Sequence, residues 1–200
     1  MRKTIHLVDD DAAVRHALGT FLASEGYTVK DYDCAETFLQ SKGIDSGILV
    51  LDQRMTGMTG LELQQELKKR KVHLPIIFIT GHGNVALSVM AMKAGAMDFI
   101  EKPFSNEVLL SNVQQAFRRL ESQQKELRRK TAIMECYKTL TPREREILAF
   151  IVEGISNKDL AERLQISNRT IEVHRSRIMR KMQAENLPDL VRMAALCGIG

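Results

Sequence analysis

The sequence predicts an α/β domain with a doubly wound five-stranded parallel sheet, followed by an all-α domain of four short helices. Up to about residue 101, short β-rich apolar runs alternate with segments of helical spacing. Strands that alternate with helices form a parallel sheet joined by right-handed crossovers. After Leu140 only helical patterns and helix-start signals follow. The chain therefore divides into two domains of different class.

The predicted strands are apolar over most of their length, which is typical of strands buried on both faces. They are Ile5–Val8, Thr28–Tyr32, Ile48–Leu51, Ile76–Thr80 and Met97–Ile100. Two of the intervening segments with helical spacing end at a glycine, Gly26 and Gly95. This alternation predicts the doubly wound sheet.

A long helical stretch follows the fifth strand. Ser105 is its predicted cap, and Val113, Leu120, Leu127 and Met134 recur every seven residues. Beyond Leu120 the positions that accompany this seven-residue repeat on the same helix face are polar, as at Gln124 and Thr131. We therefore expect residues 121–137 to form a solvated linker helix, either a plain spacer or a helix weakly paired with a second copy.

The last segment carries start signals for four helices. Thr141-Pro142-Arg143-Glu144 is a capping box with proline at the first helical position. Ser156 and Ser167 start two more helices, and Leu187-Pro188 precedes the fourth. The predicted organisation is a first domain over 1–120, a helical linker over 121–137 and a second domain over 138–200.

The composition predicts a soluble cytoplasmic protein with no membrane association. Apolar residues make up 44% of the chain and charged residues 27%, and no apolar run approaches the roughly 20 residues that a bilayer requires. The first residues lead directly into an apolar strand without a cleavage site, so secretion is not expected. Three cysteines without a Cys-x-x-Cys pair favour neither a disulfide framework nor a zinc site.

Positive charge is concentrated in the last third of the chain. The net charge is zero over residues 1–120, +1 over 121–137 and +3 over 138–200. Residues 167–181 hold five basic side chains and a single acid. Such clustering favours a polyanionic partner, with a solvated basic helix face as the alternative.

Polar residues follow four of the predicted strands. In an open α/β sheet, ligands bind at the carboxyl ends of the strands. The residues there are Asp9-Asp10-Asp11, Asp52, Thr80-Gly81-His82-Gly83 and Glu101-Lys102-Pro103. Taken singly, an aspartate after a strand is typical of a helix cap or a turn. Together, the first and third strands place three carboxylates in one crevice, where their repulsion calls for a hard cation such as Mg²⁺.

The same strand ends suit phosphoryl chemistry. A carboxylate nucleophile, a cation that neutralises charge and a positioned lysine are its usual components. Lys102 would supply the ammonium, and the Thr80 hydroxyl would be a donor to the oxygens of a bound anion.

On these strand ends, together with Leu49-Val50-Leu51-Asp52 and Lys102-Pro103-Phe104, residues 1–120 resemble the receiver domain of bacterial two-component response regulators, a flavodoxin-like fold. The resemblance implies that Asp52 is the phosphoacceptor and that Lys102 pairs with the phosphoryl group. It implies Mg²⁺ as the cofactor, with ligands from Asp9, Asp10, Asp52 and the backbone carbonyl of Arg54.

The resemblance also implies a switch. Thr80 and Phe99 match the pair in which the hydroxyl moves to the phosphoryl group and the aromatic ring rotates into the vacated space. A role for Phe99 as an ordinary core aromatic stays open. One departure is Thr56, where the family usually has proline, and we expect it to alter the rigidity of the loop after Asp52.

A small Asp-dependent phosphatase fused to a helical interaction module is the rival interpretation. The haloacid-dehalogenase phosphatases carry a second aspartate two residues after the nucleophile as general acid, and this chain has Arg54 there. No Gly-x-Gly-x-x-Gly follows the first strand, which argues against a dinucleotide site. The site is therefore expected to store a phosphoryl group without turning over a substrate, and the protein is not expected to be an enzyme.

The second domain has helix-turn-helix spacing: Leu160–Leu164, a turn at Gln165-Ile166 and a helix from Ser167. Ile171, Ile178 and Met182 share one face of that helix. The opposite face is polar and basic and has the width that enters a major groove. Its predicted DNA-contacting residues are Arg169, Thr170, Glu172, Val173, Ser176, Arg177, Arg180 and Lys181.

Two kinds of DNA contact are expected on this face. Glu172 and Val173 are candidates for base edges, and Arg169, Arg177, Arg180 and Lys181 for phosphates. As an alternative, Glu172 would only pair with Arg169 or Ser176 along the helix.

Residues 138–200 resemble the LuxR-type DNA-binding domain in its FixJ-like form. The matching segments are Leu140 to Glu146, Gly154 to Lys158 and Arg169 to His174. Both resemblances together imply a response regulator of the NarL/FixJ class. A cognate sensor histidine kinase would phosphorylate Asp52, and the phosphorylated chain would form a homodimer through residues 84–101, bind double-stranded promoter DNA and act on RNA polymerase. A regulator that acts through protein contacts alone is a third interpretation.

Overall fold

The chain divides into two structural units, Met1–Glu121 and Ser122–Gly200. The computed structural model describes residues 3–44, 46–81 and 85–199. The first unit has two apolar clusters, one on each side of its sheet, and the second has a cluster of its own. Each unit therefore has the separate core expected of a domain.

Five strands form the sheet of the first unit, and every pair of neighbours is parallel. The strands are β1 (Thr4–Val8), β2 (Thr28–Tyr32), β3 (Ile48–Asp52), β4 (Ile76–Thr80) and β5 (Asp98–Glu101), in the spatial order β2-β1-β3-β4-β5. The doubly wound parallel sheet is confirmed. The fifth strand begins at Asp98, one residue later than predicted.

The prediction that the strands are buried on both faces is confirmed for the central strands β3 and β4 and is wrong for β2. All residues of β3 and β4 are buried. In β2, Lys30 and Asp31 are exposed. The reason is its position at the edge of the sheet, where only β1 pairs with it.

Helices cover both faces of the sheet. The helices of the first unit are α1 (Ala12–Ser24), α2 (Ala35–Gln40), α3 (Gly60–Lys69) and α4 (Val85–Lys93), followed by the start of α5 (Asn106–Lys138). Leu18 of α1 and Val113 of α5 pack against Ile5 and Leu7, whereas Phe38 of α2 and Leu63 of α3 pack in the cluster of the other face. Alternate strand residues therefore enter different cores, and all five strands end at one edge.

The helix α5 is 33 residues long. Residues 121–129 of this helix are all exposed, including Leu127 at 65%. The stretch predicted as a linker is helical, and its middle packs against no core.

The second unit contains α6 (Pro142–Val152), α7 (Asn157–Leu164), α8 (Asn168–Met182) and α9 (Leu187–Cys197). The side chains of Thr141, Ser156 and Ser167 each accept a hydrogen bond from the first turn of the following helix, as predicted for caps. Gln165 takes a left-handed conformation, with φ 52°, that ends α7 two residues before the cap of α8. In the part of the chain that the structure describes, no helix is long and apolar enough to cross a membrane.

Candidate functional site

The carboxyl ends of three strands of the first unit meet at the Lys102 side chain. Its Nζ lies 2.8 Å from Oδ2 of Asp9 and 2.9 Å from Oδ1 of Asp52. Asp9 is 1% exposed and Asp52 is 5% exposed. The site therefore pairs two nearly buried carboxylates, from β1 and β3, with one ammonium, which follows β5.

Burial and hydrogen bonding set the charges in this site. Burial raises the pKa of Asp52, and hydrogen bonds from Lys102 and from the backbone N–H of Arg54, 2.7 Å from Oδ2, oppose the rise. Burial alone would lower the pKa of Lys102, but its hydrogen bonds to Asp9 and Asp52 outweigh that effect and raise it. Lys102 therefore remains an ammonium, and its positive charge can attract an anion to Asp52.

Asp10 and Asp11 bond to groups other than Lys102. Oδ2 of Asp10 accepts hydrogen bonds from Thr56, from the backbone N at 2.9 Å and from Oγ1 at 3.0 Å. Asp11 caps α1, where its side chain accepts from the backbone N–H groups of Ala13 and Val14. The structure joins Asp9 and Asp52 through Lys102 and bonds Asp10 to Thr56, and the expectation that all three carboxylates share one crevice stays a prediction.

The donor atoms around Asp52 fit Mg²⁺ in chemical kind but are not gathered into a closed set. Carboxylate and carbonyl oxygens are the donors that Mg²⁺ prefers. Over residues 3–44, 46–81 and 85–199, however, no three His, Cys, Asp or Glu side chains are arranged to hold a metal ion. Lys102 binds both Asp9 and Asp52, and Thr56 binds Asp10.

The predicted switch pair lies on β4 and β5. Thr80 is fully buried at the end of β4, and its backbone carbonyl accepts a hydrogen bond from the N–H of Lys102 at 2.7 Å. Phe99 is half-buried beside Phe78, with 6.0 Å between the ring centroids, and packs on the apolar cluster of its face. His82 and Gly83, which follow Thr80 at the predicted end of the strand, lie outside the described residues.

The helix α8 presents most of the predicted DNA-contacting residues to solvent. Ile171, Ile178 and Met182 are fully buried on its inner face. In the described part of the chain, the Glu172 side chain makes no hydrogen bond or salt bridge, so the alternative pairing along the helix is not formed. The exposed residues of the predicted set are Arg169, Thr170, Glu172, Val173, Ser176, Arg177 and Arg180.

Lys181 differs from the rest of the predicted set. Its Nζ lies 2.6 Å from Oε2 of Glu144 and 3.2 Å from the backbone carbonyl of Thr139. The Glu144 side chain is only 4% exposed. Lys181 therefore pairs with a buried carboxylate of α6, and this pairing argues against the predicted contact with DNA phosphates.

Glu144 was identified from the sequence only as part of a capping box. Burial alone would raise the pKa of its carboxyl, but hydrogen bonds from Lys181 and from Thr141 lower the pKa from 4.5 to about 2. Its partner Lys181 is 37 residues away on another helix, and no sequence pattern links the two.

Comparisons with known proteins match both units. Residues 5–114 match the response regulator receiver domain, and residues 138–194 match the LuxR family of bacterial regulatory proteins. Among curated relatives, the transcriptional regulatory protein FixJ of Rhizobium meliloti is 44% identical over 198 residues, covering 98% of this chain and 97% of that protein. The response regulator TodT of Pseudomonas putida is 41% identical over 190 residues, covering 94% and 84%.

Solved structures give the same result over the full length. The response regulator StyR superposes with a TM-score of 0.83 at 38% identity, covering 98% of this chain and 99% of that one. Full-length FixJ from B. japonicum superposes with a TM-score of 0.63 at 41% identity, covering 100% and 99%. The chain therefore belongs to the response regulators, as a FixJ-like member with a receiver domain and a LuxR-type DNA-binding domain.

Proposed function

We propose that this chain is a phosphorylation-dependent transcription factor whose phosphoacceptor is Asp52. The observation that carries the proposal is the nearly buried carboxylate of Asp52, with the Lys102 ammonium 2.9 Å from its Oδ1. In this proposal residues 1–120 form the receiver, 121–137 the linker and 138–200 the DNA-binding domain. The division into two compact units near residue 121 supports these bounds.

Asp52 accepts the phosphoryl group of a sensor histidine kinase. A carboxylate oxygen attacks phosphorus, the new P–O bond forms, and the P–N bond to the kinase histidine breaks. The N–H of Arg54 and the ammonium of Lys102 each bind one oxygen of Asp52 and so fix the orientation of the carboxylate. The Lys102 ammonium then binds the transferred phosphoryl oxygens.

Mg²⁺ is the proposed cofactor, held by Asp9, Asp10, Asp52 and the backbone carbonyl of Arg54. When bound, it neutralises charge on the phosphoryl oxygens beside three carboxylates. Lys102 supplies one positive charge, whereas Asp9 and Asp52 together carry two negative charges. The site therefore needs a further cation before it can accept a phosphoryl group.

Thr80 and Phe99 form the proposed switch. The Thr80 hydroxyl moves to the phosphoryl group, and the Phe99 ring rotates into the space that it leaves. Phe99 is half-buried and Thr80 fully buried on the adjacent strand, an arrangement that supports this coupling. The movement would change the surface formed by α4 and β5.

A second copy of the chain is the proposed partner of that surface. Four large apolar side chains of α4 are exposed: Val85 at 80%, Val89 at 45%, Met90 at 55% and Met92 at 46%. Such exposure on a nine-residue helix supports an interaction between two proteins. The expected contact segment, residues 84–101, begins at Asn84, which lies outside the described residues.

The exposed face of α8 is the proposed DNA-reading surface. Arg169, Arg177 and Arg180 bind phosphates, and Glu172 and Val173 contact base edges. Lys181 is left out because Glu144 binds its ammonium. The bound dimer acts on RNA polymerase at the promoter.

Phosphoryl labelling tests the phosphoacceptor. The wild-type chain should be labelled by acetyl phosphate in Mg²⁺ and not in EDTA, and Asp52→Asn should lose the label because an amide is not a nucleophile. Asp31→Asn, a surface change on β2, is the matched control and should be labelled normally. Full labelling of Asp52→Asn would contradict the assignment. Steady hydrolysis of p-nitrophenyl phosphate would favour the phosphatase interpretation instead.

A further inference from the structure

The contact between Asp10 and Thr56 joins the loop after β1 to the loop after β3. The N–H and the hydroxyl of Thr56 donate to the same atom, Oδ2 of Asp10, at 2.9 and 3.0 Å. Both residues are exposed. We propose that Thr56 is a latch that holds Asp10 out of the metal site and so lowers the affinity of the receiver for Mg²⁺. The inference rests on the proposed function, in which Asp10 is a metal ligand.

The geometry favours competition with the metal over assistance. A carboxylate oxygen has two lone pairs, and Thr56 occupies both on Oδ2, which leaves only Oδ1 of Asp10 for a metal ion. Hydrogen bonds from outer residues raise metal affinity when they orient a ligand towards the ion. Here the described residues contain no group of three carboxylates arranged for a metal, although Asp9 and Asp52 already lie close together. Oδ2 of Asp10 can therefore bind the ion only after Thr56 releases it.

Release of Asp10 breaks two hydrogen bonds, and Mg²⁺ binding must compensate for their loss. Both donors belong to Thr56, one on its backbone and one on its side chain, so a single residue controls the position of Asp10. A proline at this position has neither an N–H nor a hydroxyl and could make neither bond. The threonine thus makes the receiver require a higher Mg²⁺ concentration before its ligand set is complete.

Calorimetric titration of the unphosphorylated full chain with Mg²⁺ tests the latch. Thr56→Val removes the hydroxyl donor and should bind Mg²⁺ about 3- to 10-fold more tightly, the effect of one net hydrogen bond. Thr56→Pro removes both donors and should bind more tightly still. Thr56→Ser keeps both donors and should match the wild type. Thr20→Val makes the same chemical change on the exposed side of α1 and should also match it.

The amide resonance of Thr56 in NMR spectra provides a second readout. It should move upfield when Mg²⁺ saturates the wild-type chain, because its hydrogen bond to Asp10 is broken. A Thr56 amide that stays in place at saturation, or a Thr56→Val chain that binds Mg²⁺ no more tightly than wild type, would overturn the latch.

Asp10→Asn separates the two possible failures. If Asp10 is a ligand, this variant should lose most of its Mg²⁺ affinity. Unchanged affinity in Asp10→Asn would overturn the ligand set and the latch together. Lost affinity in Asp10→Asn, combined with unchanged or weaker binding in Thr56→Val, would keep the ligand set and overturn the latch alone.

Discussion

Lys181 and Glu144 form an ion pair that ties α8 to α6 in the DNA-binding domain. The pair is short, at 2.6 Å, and Glu144 also accepts the N–H of Thr141 at 2.8 Å. Truncation of one partner leaves a buried charge without its hydrogen bonds. We therefore expect Lys181 to act on the stability of the domain and not on DNA affinity.

Lys181→Met should lower the free energy of unfolding of the second unit by about 1–3 kcal/mol near neutral pH. The pKa of Glu144 is about 2 in the folded chain against an ordinary 4.5. Its stabilising contribution is therefore present above pH 4.5 and is lost as the pH falls towards 2. Hydrogen exchange of the α6 and α8 amides measures this unit by itself.

The exposed Lys158 provides the control for that measurement. Lys158→Met should change exchange little at any pH. If wild type and Lys181→Met differed in the free energy of unfolding as much near pH 2 as at pH 7, the ion pair would not be the source of that difference.

The sequence predicts contacts between residues when those residues follow strands of the parallel sheet. Asp9, Asp52 and Lys102 follow parallel strands, whose carboxyl ends lie at one edge, so their meeting follows from the topology. The bonds of Thr56 to Asp10 depend on the paths of two loops, which no periodicity describes. Lys181 likewise resembles a solvated basic residue until the packing of α6 against α8 is known.

At the scale of the element, α8 has one face for the core and one for DNA. Arg177→Ala should weaken binding to every duplex, because one phosphate contact is lost. The slope of the logarithm of the binding constant against the logarithm of the salt concentration should become shallower by roughly one unit. Glu172→Ala or Val173→Ala should instead reduce the free energy of DNA binding by about 1–3 kcal/mol at one base position of each half-site. Either change should leave the salt dependence of the affinity nearly unchanged.

Selection of bound duplexes from a random pool measures the specificity of these variants. The wild-type motif should be an inverted repeat, since the symmetry of a dimer is mirrored in its site. Arg192→Ala, an exposed change on α9, is a matched control for charge and should select the wild-type motif. Identical motifs from wild type, Glu172→Ala and Val173→Ala would refute base reading by these residues.

The type of each helix and strand was predictable where the periodicity is strong. The residue at which an element begins, and whether a strand lies at the edge of the sheet, were less predictable. The buried runs of β3 and β4 and the capped starts of α6, α7 and α8 are visible in the sequence. The exposure of β2 depends on its place in the strand order, which the run itself does not encode.

At the scale of the whole molecule, phosphorylation should produce a dimer through α4 and β5. A switch on that surface has an effect only if a partner binds one state better than the other. Light scattering should show a monomer that doubles in mass with beryllofluoride, a phosphoryl mimic. Val89→Glu should block the doubling, because it places a charge among the exposed apolar residues of α4.

Leu127→Glu is the matched control for that change. Leu127 is the large exposed apolar residue of the linker stretch, and pairing through α5 would make it the sensitive position. Dimerisation that survives Val89→Glu and fails in Leu127→Glu would move the contact to the linker helix.

We expect the state of Asp52 to control the binding of DNA by the second domain. The most direct test of this control is the affinity of the full chain for its selected duplex, measured in Mg²⁺ with and without beryllofluoride, for wild type and Asp52→Asn. Beryllofluoride should tighten the binding of DNA by the wild type and leave the affinity of Asp52→Asn unchanged. Equal affinity of the wild type in both conditions, or an equal gain in Asp52→Asn, would contradict this expectation.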